Sequence, residues 1–595
     1  MPTTTELEVP VLIVGAGPAG LTSSLALRRY GIDHLVVEHH AGTAHTPRAH
    51  IVNQRTVEIL RHLGIEDRFR AVATPQSMMR NNLWVTTLAG REIARSETWG
   101  TSPERIGEYT ASSPVQMANC PQTVFEPLLL AAARDAGADI RFEVDFLSAE
   151  QTGEWVVSTL VDRRTSARFT VRSRYLLGAD GARSRVLSAA GLSVEGPAGL
   201  IHAANVWFEA DLGRYLAHRP GVLTWNVMPG PLPPLRLGTL ICHKPFSEFV
   251  LAFFYDPAQH DLAEMTEAEL TDRVHAAIGD PVVPVRIKNV SGWQVNAQVA
   301  QSYSAGRILC LGDAVHRHPP TNGLGLNMSV ADAFNLAWKL ALVLRGRATP
   351  ALLDTYSQER QPIGAAGVQR AITSLMEGAE IEKALGLAPD QSAEDGWAAL
   401  DVLDDPGPDG AARRQALRAA IELSNFQFNA HGIELGYRYE RGALVGERET
   451  TPPVPEAESV LHYTPTTAPG TRVPHARIER DGEPLSTLDL VDGLGFALLT
   501  GVGGEGWCEA AAAIRGRFGV RLDVHLIGGH AKDSVADPLG EWAQVREVGP
   551  SGAVLVRPDR HIAWRCADFS PAAVAGLEAA FDHLLTRSNI DILHL

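Results

Sequence analysis

The sequence predicts a multidomain α/β protein that carries a β-rich insertion and ends in a second, smaller α/β unit. Three observations support this fold class. The first forty residues alternate strand, glycine turn, helix and strand. The segment around 195–295 changes to short apolar runs separated by Pro and Gly turns, and strand–helix–strand alternation returns from near Val473. At 595 residues, the chain is also too long for a single hydrophobic core.

The N-terminal unit is predicted to be of the Rossmann type. The apolar run VPVLIV leads into Gly15-Ala16-Gly17-Pro18-Ala19-Gly20, a helix is expected over 19–29, and the strand HLVVE ends at Glu38. In this motif the first glycine permits a tight turn, the second lets a pyrophosphate approach the backbone, and the third lets helix and strand pack closely. The helix N-terminus favours phosphates, and the acid binds ribose hydroxyls. The residues expected to bind a dinucleotide here are Gly15, Gly17, Ala19, Gly20 and Glu38.

Two later motifs place an aspartate after an apolar strand. Asp180 lies in Gly178-Ala179-Asp180-Gly181, and Asp313 lies in Gly312-Asp313-Ala314. Either motif alone is compatible with an ordinary β-turn, because Asp-Gly is a common turn dipeptide.

Composition excludes several classes of partner. The 53 Lys and Arg against 69 Asp and Glu give a formal charge of −16, which disfavours nucleic acid and anionic membrane surfaces as partners. We find no apolar run of membrane-spanning length and no signal peptide, so a cytoplasmic location is predicted. The five cysteines are widely separated, which is not typical of a disulfide framework or a zinc site. His316 and His318 form an HxH without a third ligand at suitable spacing, so no metal site is predicted.

The motifs together resemble a known family. With PRAHIVNQR at 47–55, CPQTVFEPLL at 120–129 and GDAVHRHPPTNGLGLNMSVADAFNLAWKL from 312, they are similar to the class A flavoprotein aromatic hydroxylases, phenol-hydroxylase branch. Within that branch the chain looks most like the bacterial dichlorophenol and hydroxybiphenyl monooxygenases. The resemblance implies an FAD-binding domain over 1–395 with an antiparallel-sheet substrate domain inserted at about 195–295. It also implies a helical connector over 396–455 and a thioredoxin-like domain over 456–595.

The resemblance further implies an enzyme that binds FAD and uses O2 and NADPH or NADH. It assigns Asp313 to the flavin ribityl chain, and it places a helix start near Asn327, with its N–H groups directed at the flavin ring. The remaining positions that it places near the cofactor are Arg48, Gln122, Asp180, Pro320, Gly325, Leu326 and Asn327.

His50 is the candidate catalytic base. A flavin hydroperoxide attacks electron-rich rings, so a base beside the phenol hydroxyl assists the reaction. Relatives in this branch carry a His or Asp two residues after the arginine that matches Arg48, and an imidazole that titrates near neutral pH suits this task. The alternative is that His50 only packs or forms hydrogen bonds near the flavin.

The predicted substrate is a small phenolic aromatic molecule. Trp225, Phe254, Trp293 and Pro320 are candidate substrate contacts, although such aromatic residues are more often ordinary core. Epoxidation or oxidative decarboxylation on the same scaffold, and a non-enzymatic binding module, are the competing functions. A homodimer is expected.

A second GxGxxG, at 501–506, follows the strand FALLT near the C-terminus. Asp523 lies in the middle of the next predicted strand, so the acid that would bind a ribose is misplaced. Ala511 occupies the position of the second cysteine of a thioredoxin motif, which excludes dithiol exchange. The C-terminal unit is therefore predicted to be structural, without a nicotinamide site of its own.

Overall fold

A computed structural model describes residues 6–229, 238–258, 261–388, 391–447, 456–529 and 534–586 of the chain. The expected boundary between connector and C-terminal domain, at 455/456, borders positions outside these residues. No helix in the described ranges is both long and apolar enough to cross a membrane.

The N-terminal domain is built on a mixed sheet with a parallel centre. Glu6–Val14 pairs in parallel with Arg168–Gly178 on one side and with His34–Glu38 on the other. Residues 11–13 of the central strand are fully buried, as their apolar run predicts. Across the described residues this sheet has eight strands. Six follow the order Ser304–Ala305, Ile308–Cys310, Arg168–Gly178, Glu6–Val14, His34–Glu38 and Asp139–Phe142. Trp155–Asp162 also pairs with Arg168–Gly178, and Val144–Thr152 pairs with Trp155–Asp162.

Helices cover this sheet, and two of them meet at the glycine motif. Pro18–Arg29 starts after Gly17 and contacts the long helix Leu324–Leu344. The predicted helix over 19–29 is thus confirmed with its start one residue earlier, whereas the helix expected to begin near Asn327 begins three residues before that. The α-helices of the domain are Pro18–Arg29, Gln54–His62, Glu66–Arg70, Ile106–Ser112, Gln122–Asp135, Arg185–Ala189, Leu324–Leu344 and Asp354–Leu385. Shorter 3-10 turns are Gln76–Met79, Gly181–Arg183, Gly312–Ala314, Thr321–Gly323 and Pro350–Leu353.

Short strands connect the loops of this domain. One small sheet comprises Ile51–Val52, Ala118–Asn119 and Thr74–Pro75, and another comprises Val194–Glu195, Gln298–Ala300 and His316–Arg317. The first of these sheets holds the segment after His50 against the segment that precedes Gln122.

A second large sheet contains the β-rich segment predicted around 195–295, and it extends beyond that segment. Leu223–Asn226 pairs in parallel with Asn81–Val85, so the sheet is mixed and includes strands from 81–97 that the prediction did not place in it. Its order over the described residues is Arg286–Val295, Ile201–Glu209, Glu248–Phe254, Gly238–Lys244, Leu223–Asn226, Asn81–Val85 and Glu92–Glu97. One face packs on the helix Glu267–Ile278, and the short helix Gly213–Leu216 adds to the same core.

Helices connect this part of the chain to the C-terminal unit. They are Ala393–Asp401, Pro408–Leu423, Asn425–Phe428, His431–Leu435 and Glu456–Leu461, with a 3-10 turn at Val402–Asp404.

The C-terminal unit has its own sheet. Phe496–Thr500 pairs in parallel with Leu522–Leu526 and antiparallel with Ala553–Val556, which pairs antiparallel with Ile562–Cys566. Its helices are Trp507–Phe518, Glu541–Val545 and Pro571–Phe581, followed by a turn of π-helix at Asp582–Thr586. The sheet is preceded by a hairpin of Arg477–Arg480 and Glu483–Ser486 and by a 3-10 turn at Thr487–Leu490.

Buried ion pairs join the C-terminal unit to the N-terminal domain. The Arg472 guanidinium contacts the Glu58 carboxylate at 2.9 and 2.5 Å, and both side chains are almost fully buried. Arg557 donates to Glu359 at 2.8 and 2.9 Å, and Glu359 also accepts from Lys339 at 2.7 Å. Because these charges have no access to water, separating the two units would leave them unpaired.

Candidate functional site

The first glycine motif forms a cradle whose three glycines have different surroundings. Gly15 has a φ of +107°, and a Cβ there would lie 2.2 Å from the carbonyl oxygen of Ala179. A Cβ on Gly20 would lie 1.9 Å from the carbonyl oxygen of Gly15. At Gly17 the nearest atom to a Cβ is a carboxylate oxygen of Glu126, at 3.8 Å. Gly15 and Gly20 are therefore required by the packing of the protein, and the open side at Gly17 fits an approaching phosphate.

Glu38 lies beside this cradle. Its carboxylate accepts hydrogen bonds from the backbone N–H groups of Ala16, at 2.7 Å, and His40, at 2.9 Å. The carboxylate is therefore held at the end of the second strand, where the sequence predicted an acid for the ribose hydroxyls.

Asp180 is engaged within the protein. Its carboxylate accepts from the Ser184 hydroxyl at 2.5 Å and from the N–H groups of Arg185 and Val186 at 2.7 and 3.1 Å. Burial raises the pKa of this carboxyl group. The side chain thus stabilises the turn that lies against Gly15. Asp180 would therefore affect a cofactor site indirectly, by holding that turn in its conformation.

The turn that carries Asp313 is hydrogen-bonded to the buried carboxylate of Asp332. Asp332 accepts from the Gly312 N–H at 3.0 Å, from His316 Nε2 at 2.8 Å and from Arg360 Nε at 2.7 Å. Burial alone would raise the pKa of Asp332, but Arg360 and His316 lower it below its usual range. Asp313 itself is exposed next to the buried Gly312 and Ala314. An exposed carboxylate on a rigid turn is suited to binding the hydroxyl groups of a ligand.

Gln122 and Arg48 lie in neighbouring segments with different surroundings. The Gln122 side chain donates to Glu126 at 2.5 Å, and Glu126 also accepts from the Ala44 N–H at 2.6 Å. Burial raises the pKa of Glu126. Arg48 is exposed. Gln122 is therefore fixed through Glu126, which also lies nearest to the open side of Gly17.

Both the oxygen and the nitrogen of the Asn327 side-chain amide form hydrogen bonds within the protein. Its Oδ1 accepts from the Asn53 N–H at 3.0 Å and the Thr56 hydroxyl at 2.7 Å, and its Nδ2 donates to the carbonyls of Ile51 and Gly323 at 3.0 and 2.7 Å. These bonds attach the start of the helix Leu324–Leu344 to the segment that follows His50. A cofactor at this position would therefore contact the backbone of Asn327 and not its side chain.

The neighbours of Asn327 differ in exposure. Leu326 is part of the main hydrophobic core, whereas Pro320 is exposed on the preceding turn. A Cβ on Gly325 would lie 3.5 Å from His318 Nδ1. Asn322 and Gly323 both have positive φ, of 63° and 62°, so the backbone turns sharply before the helix begins.

His50 is half-buried where the N-terminal domain meets the second sheet. Its Nδ1 lies 2.9 Å from Oδ1 of Asn119, and its ring centroid lies 6.1 Å from that of His243. Burial lowers the pKa of His50 to about 4, and the Asn119 contact raises it only slightly. The prediction that this imidazole titrates near neutral pH is therefore wrong, because the half-buried ring loses part of its hydration without gaining a carboxylate partner.

The second sheet turns one face toward this histidine. Trp293 donates from Nε1 to Asn205 at 3.1 Å, and Asn205 donates to the carbonyl of Pro47 at 3.3 Å, three residues before His50. Strand register places Phe254 and Trp293 on either side of Ala203, so the two rings share this face. Two of the predicted substrate contacts thus face the loop that carries His50.

Trp225 lies farther along the sheet and lines a cavity that is partly open to solvent. Trp84 is its direct neighbour on the adjacent strand and lines the same cavity with Phe428. Trp225 also packs with Phe428 against a cluster that contains Ile51, which adjoins His50. The fourth predicted contact, Pro320, is not among the residues that line the cavity.

The HxH motif is built into the turn around Asp313. His316 is fully buried and bonded to Asp332, and its ring lies 4.9 Å from that of His318. Burial lowers the pKa of His318 well below its usual value. Over the described residues, no group of three or more His, Cys, Asp or Glu side chains is placed to hold a metal ion.

Protein atoms lie close to most glycines of the C-terminal motif. A Cβ on Gly506 would lie 2.2 Å from the Phe569 ring, and a Cβ on Gly504 would lie 2.1 Å from the Thr500 hydroxyl. Trp507, at the start of the helix, is buried and donates to the carbonyl of Ser551 at 3.0 Å. Close packing explains Gly504 and Gly506. Gly503 has a φ of +84°, and a Cβ there would lie 3.5 Å from Ser551, so its backbone conformation explains that glycine.

Sequence reasoning missed Asn119, His243 and Trp84. Trp84 lies in an apolar strand outside the predicted insertion, and only its pairing with Leu223–Asn226 brings it to the site. His243 had a weak signal, since it is the one basic side chain within the apolar run LGTLICH. Asn119 has no local signal, because its importance comes from a contact with His50, 69 residues away.

Comparison with known proteins gives matches along nearly the whole chain. A family model for an FAD binding domain matches residues 8–371, and one for the C-terminal part of aromatic-ring hydroxylases matches residues 466–588. The 2,4-dichlorophenol 6-monooxygenase of Delftia acidovorans is 41% identical, with 98% of this chain and 99% of that protein covered. The phenol 2-monooxygenase of Pseudomonas sp. (strain EST1001) is 38% identical, with 94% and 90% covered.

Solved structures give the same result. The flavin-dependent monooxygenase PieE, in complex with FAD and substrate, superposes with a TM-score of 0.93 at 49% sequence identity, and the match covers 97% of this chain and 99% of that one. At this identity the likeness extends beyond the fold to the family.

Proposed function

We propose that this chain, which belongs to the FAD-dependent aromatic-ring hydroxylases, adds oxygen to a phenolic substrate at the carbon next to its hydroxyl group. NADPH or NADH is the electron donor, and O2 supplies the oxygen atom. The names of two relatives support this position on the ring, because the 2-position of a phenol and the 6-position of 2,4-dichlorophenol both adjoin the hydroxyl group.

The residues present fit FAD. The cradle of Gly15, Gly17 and Gly20 leaves an open side for the pyrophosphate, with the N-terminal N–H groups of Pro18–Arg29 beside it. Glu38 is placed for the ribose hydroxyls, and exposed Asp313 is placed for the ribityl chain. When bound, FAD supplies the reduced ring that activates O2.

The observation that carries the proposal is the position of His50. It lies where the loop after the nucleotide-binding strands meets the aromatic face of the second sheet, with Trp293 tied to the same loop through Asn205. An aromatic substrate between these surfaces would place its hydroxyl group near the imidazole. We assign His50 as the group that receives the hydroxyl proton as the ring is attacked.

The lowered pKa of His50 restricts how this proton moves. Complete transfer from a phenol of pKa ~10 to an imidazole of pKa about 4 is uphill by roughly 8 kcal/mol if nothing else changes. His50 therefore accepts a hydrogen bond from the neutral phenol first. The proton transfers as oxygen attack draws electron density from the substrate oxygen, because that step acidifies the hydroxyl group.

We also propose the domain division 1–395, 396–455 and 456–595, with a thioredoxin-like C-terminal domain. Its strand order, with two parallel strands joined by a helix and two antiparallel strands added, supports this assignment. The homodimer and the cytoplasmic location stay predictions.

The test is product formation by purified holoenzyme with a panel of phenols, NADPH or NADH, and O2. His50→Ala should keep its FAD and its substrate-stimulated consumption of reductant, while product falls by about 10²–10⁴-fold and hydrogen peroxide rises. Raising the pH toward the phenol's own pKa should partly restore product. His202→Ala, on the same strand as Asn205 but on the opposite face, is the matched control and should behave as wild type. Unchanged product per reductant in His50→Ala would remove His50 from the mechanism and favour epoxidation or oxidative decarboxylation.

A further inference from the structure

The amide of Asn119 makes two hydrogen bonds that determine its orientation. Its Nδ2 donates to the carbonyl oxygen of Cys242 at 2.9 Å, and its Oδ1 lies 2.9 Å from His50 Nδ1. Asn119 is fully buried, and its backbone pairs with Ile51 on the short strand after His50. Because a carbonyl can only accept, the nitrogen of the amide must face Cys242 and the oxygen must face the imidazole.

This orientation determines which nitrogen of His50 carries the proton. An amide oxygen only accepts hydrogen bonds, so His50 Nδ1 must be the donor. In a neutral imidazole the other nitrogen, Nε2, then has a lone pair and no proton. A flipped amide would place two acceptors against each other at Cys242 in either tautomer, and a protonated Nδ1 would add two opposed donors at His50.

The surroundings of the ring keep it neutral. The groups that face it are the Asn119 amide, from the strand Ala118–Asn119, and the His243 imidazole, from the strand Gly238–Lys244. Burial, with smaller contributions from the nearby His50 and Lys288, lowers the pKa of His243 to about 3. No carboxylate of the described residues is hydrogen-bonded to His50.

We propose that Asn119 is a positioning residue that makes His50 a hydrogen-bond acceptor toward the substrate, so that the enzyme selects phenols in their neutral form. This inference rests on the proposed function of His50. A neutral hydroxyl donates to Nε2, whereas a phenolate brings a second lone pair to the same place and has no proton to share. The site therefore binds neutral phenols and discriminates against phenols that are already ionised at the working pH.

The first test is binding to the FAD-loaded enzyme, measured by the change in flavin absorbance between pH 6 and 9. The probes are phenol and a nitrophenol that ionises near neutral pH. For wild type, the Kd of the nitrophenol should rise about tenfold for each pH unit above its own pKa, because only the neutral fraction binds. The Kd of phenol should stay constant over this range. A nitrophenol Kd that is constant or falls as the ligand ionises would overturn the proposal.

Asn119→Asp provides the second test. A carboxylate at this position raises the pKa of His50 and favours an imidazolium, which donates a hydrogen bond to a phenolate. The variant should bind nitrophenolate at least tenfold more tightly than wild type near neutral pH. In a His50→Ala background, Asn119→Asp should give no such gain. A gain of equal size in that background would show that Asn119 acts without His50.

A spectroscopic measurement separates this proposal from the proposed function. In wild-type enzyme labelled with ¹⁵N-histidine, the resonances absent from His50→Ala should show protonation at Nδ1 and not at Nε2. Asn119→Ala should lose this preference. The wrong tautomer in wild type would refute the positioning role even if phenols are hydroxylated. The expected tautomer in an enzyme that hydroxylates no phenol would refute the proposed function alone.

Discussion

Gly17→Ala separates a requirement of the cofactor from a requirement of the fold. Gly17 has a φ of −80°, which any residue adopts, and the nearest atom to a Cβ at this position would lie 3.8 Å away. The variant protein should therefore fold as wild type does. If a phosphate of FAD approaches this backbone, the added methyl group overpacks that contact and costs about 1–3 kcal/mol of binding. This corresponds to a Kd for FAD raised by about 5- to 150-fold.

Gly15→Ala is the matched variant. At this position φ is +107°, and a Cβ would lie 2.2 Å from a backbone carbonyl oxygen, so the protein itself must move. The backbone strain alone costs about 1–3 kcal/mol, before the steric clash is counted.

The assay combines urea unfolding of the apoproteins with titration of FAD followed by flavin fluorescence. We expect Gly15→Ala to lose stability without FAD, and Gly17→Ala to keep its stability and bind FAD weakly. An unchanged FAD affinity in Gly17→Ala would refute the placement of the pyrophosphate. An apoprotein of Gly17→Ala that is strongly destabilised would refute the inference that this side of the cradle is open.

Four further predictions concern the supports of the site. Arg472→Met should lower the free energy of unfolding by about 3 kcal/mol, because buried Glu58 loses its main partner, and adding Glu58→Gln should recover part of the loss in urea titrations. Burial raises the pKa of Glu58, but Arg472, Arg55 and Ser113 together lower it to about 2 from 4.5. This contribution to stability is therefore present above pH 4.5 and is lost as the pH falls toward 2. The free energy of unfolding should decrease with falling pH in wild type and less steeply in the double variant. Asn327→Ala should destabilise the protein by about 3 kcal/mol through its lost hydrogen bonds, and full stability in thermal unfolding would contradict its connecting role. Gly503 has a φ of +84°, so Gly503→Ala should lose about 1–3 kcal/mol of stability yet keep the wild-type KM for NADPH. A large rise in that constant with normal folding and FAD content would show that the second glycine motif binds the nicotinamide cofactor.

The C-terminal unit contacts the nucleotide-binding domain through buried charged side chains. Glu359 accepts from Arg557 of the C-terminal unit and from Lys339, which lies on the helix that starts after Gly323. Desolvation raises the pKa of Glu359, but Arg557 and Lys339 outweigh it and hold it at about 2. Removing the C-terminal unit would thus expose unpaired charge against this helix, which makes the unit a structural support for the nucleotide-binding domain.

The sequence by itself determined the features that depend on a few consecutive residues. The strand, the glycine turn and the helix at 6–29 could be predicted because positive φ and close backbone approach at Gly15 allow only glycine. The motif around Asp313 follows from a similarly local pattern. The resemblance to a family rested on these same motifs, and the comparisons confirm it.

Tertiary structure alone decided the properties that arise from distant contacts. The pKa of His50 follows from desolvation, and its tautomer follows from Asn119 and Cys242, which are remote in the chain. Trp84 reaches the cavity only because its strand pairs in parallel with Leu223–Asn226. Burial, hydrogen-bond orientation and strand pairing depend on which segments meet in space, and a linear pattern of residue types does not carry that information.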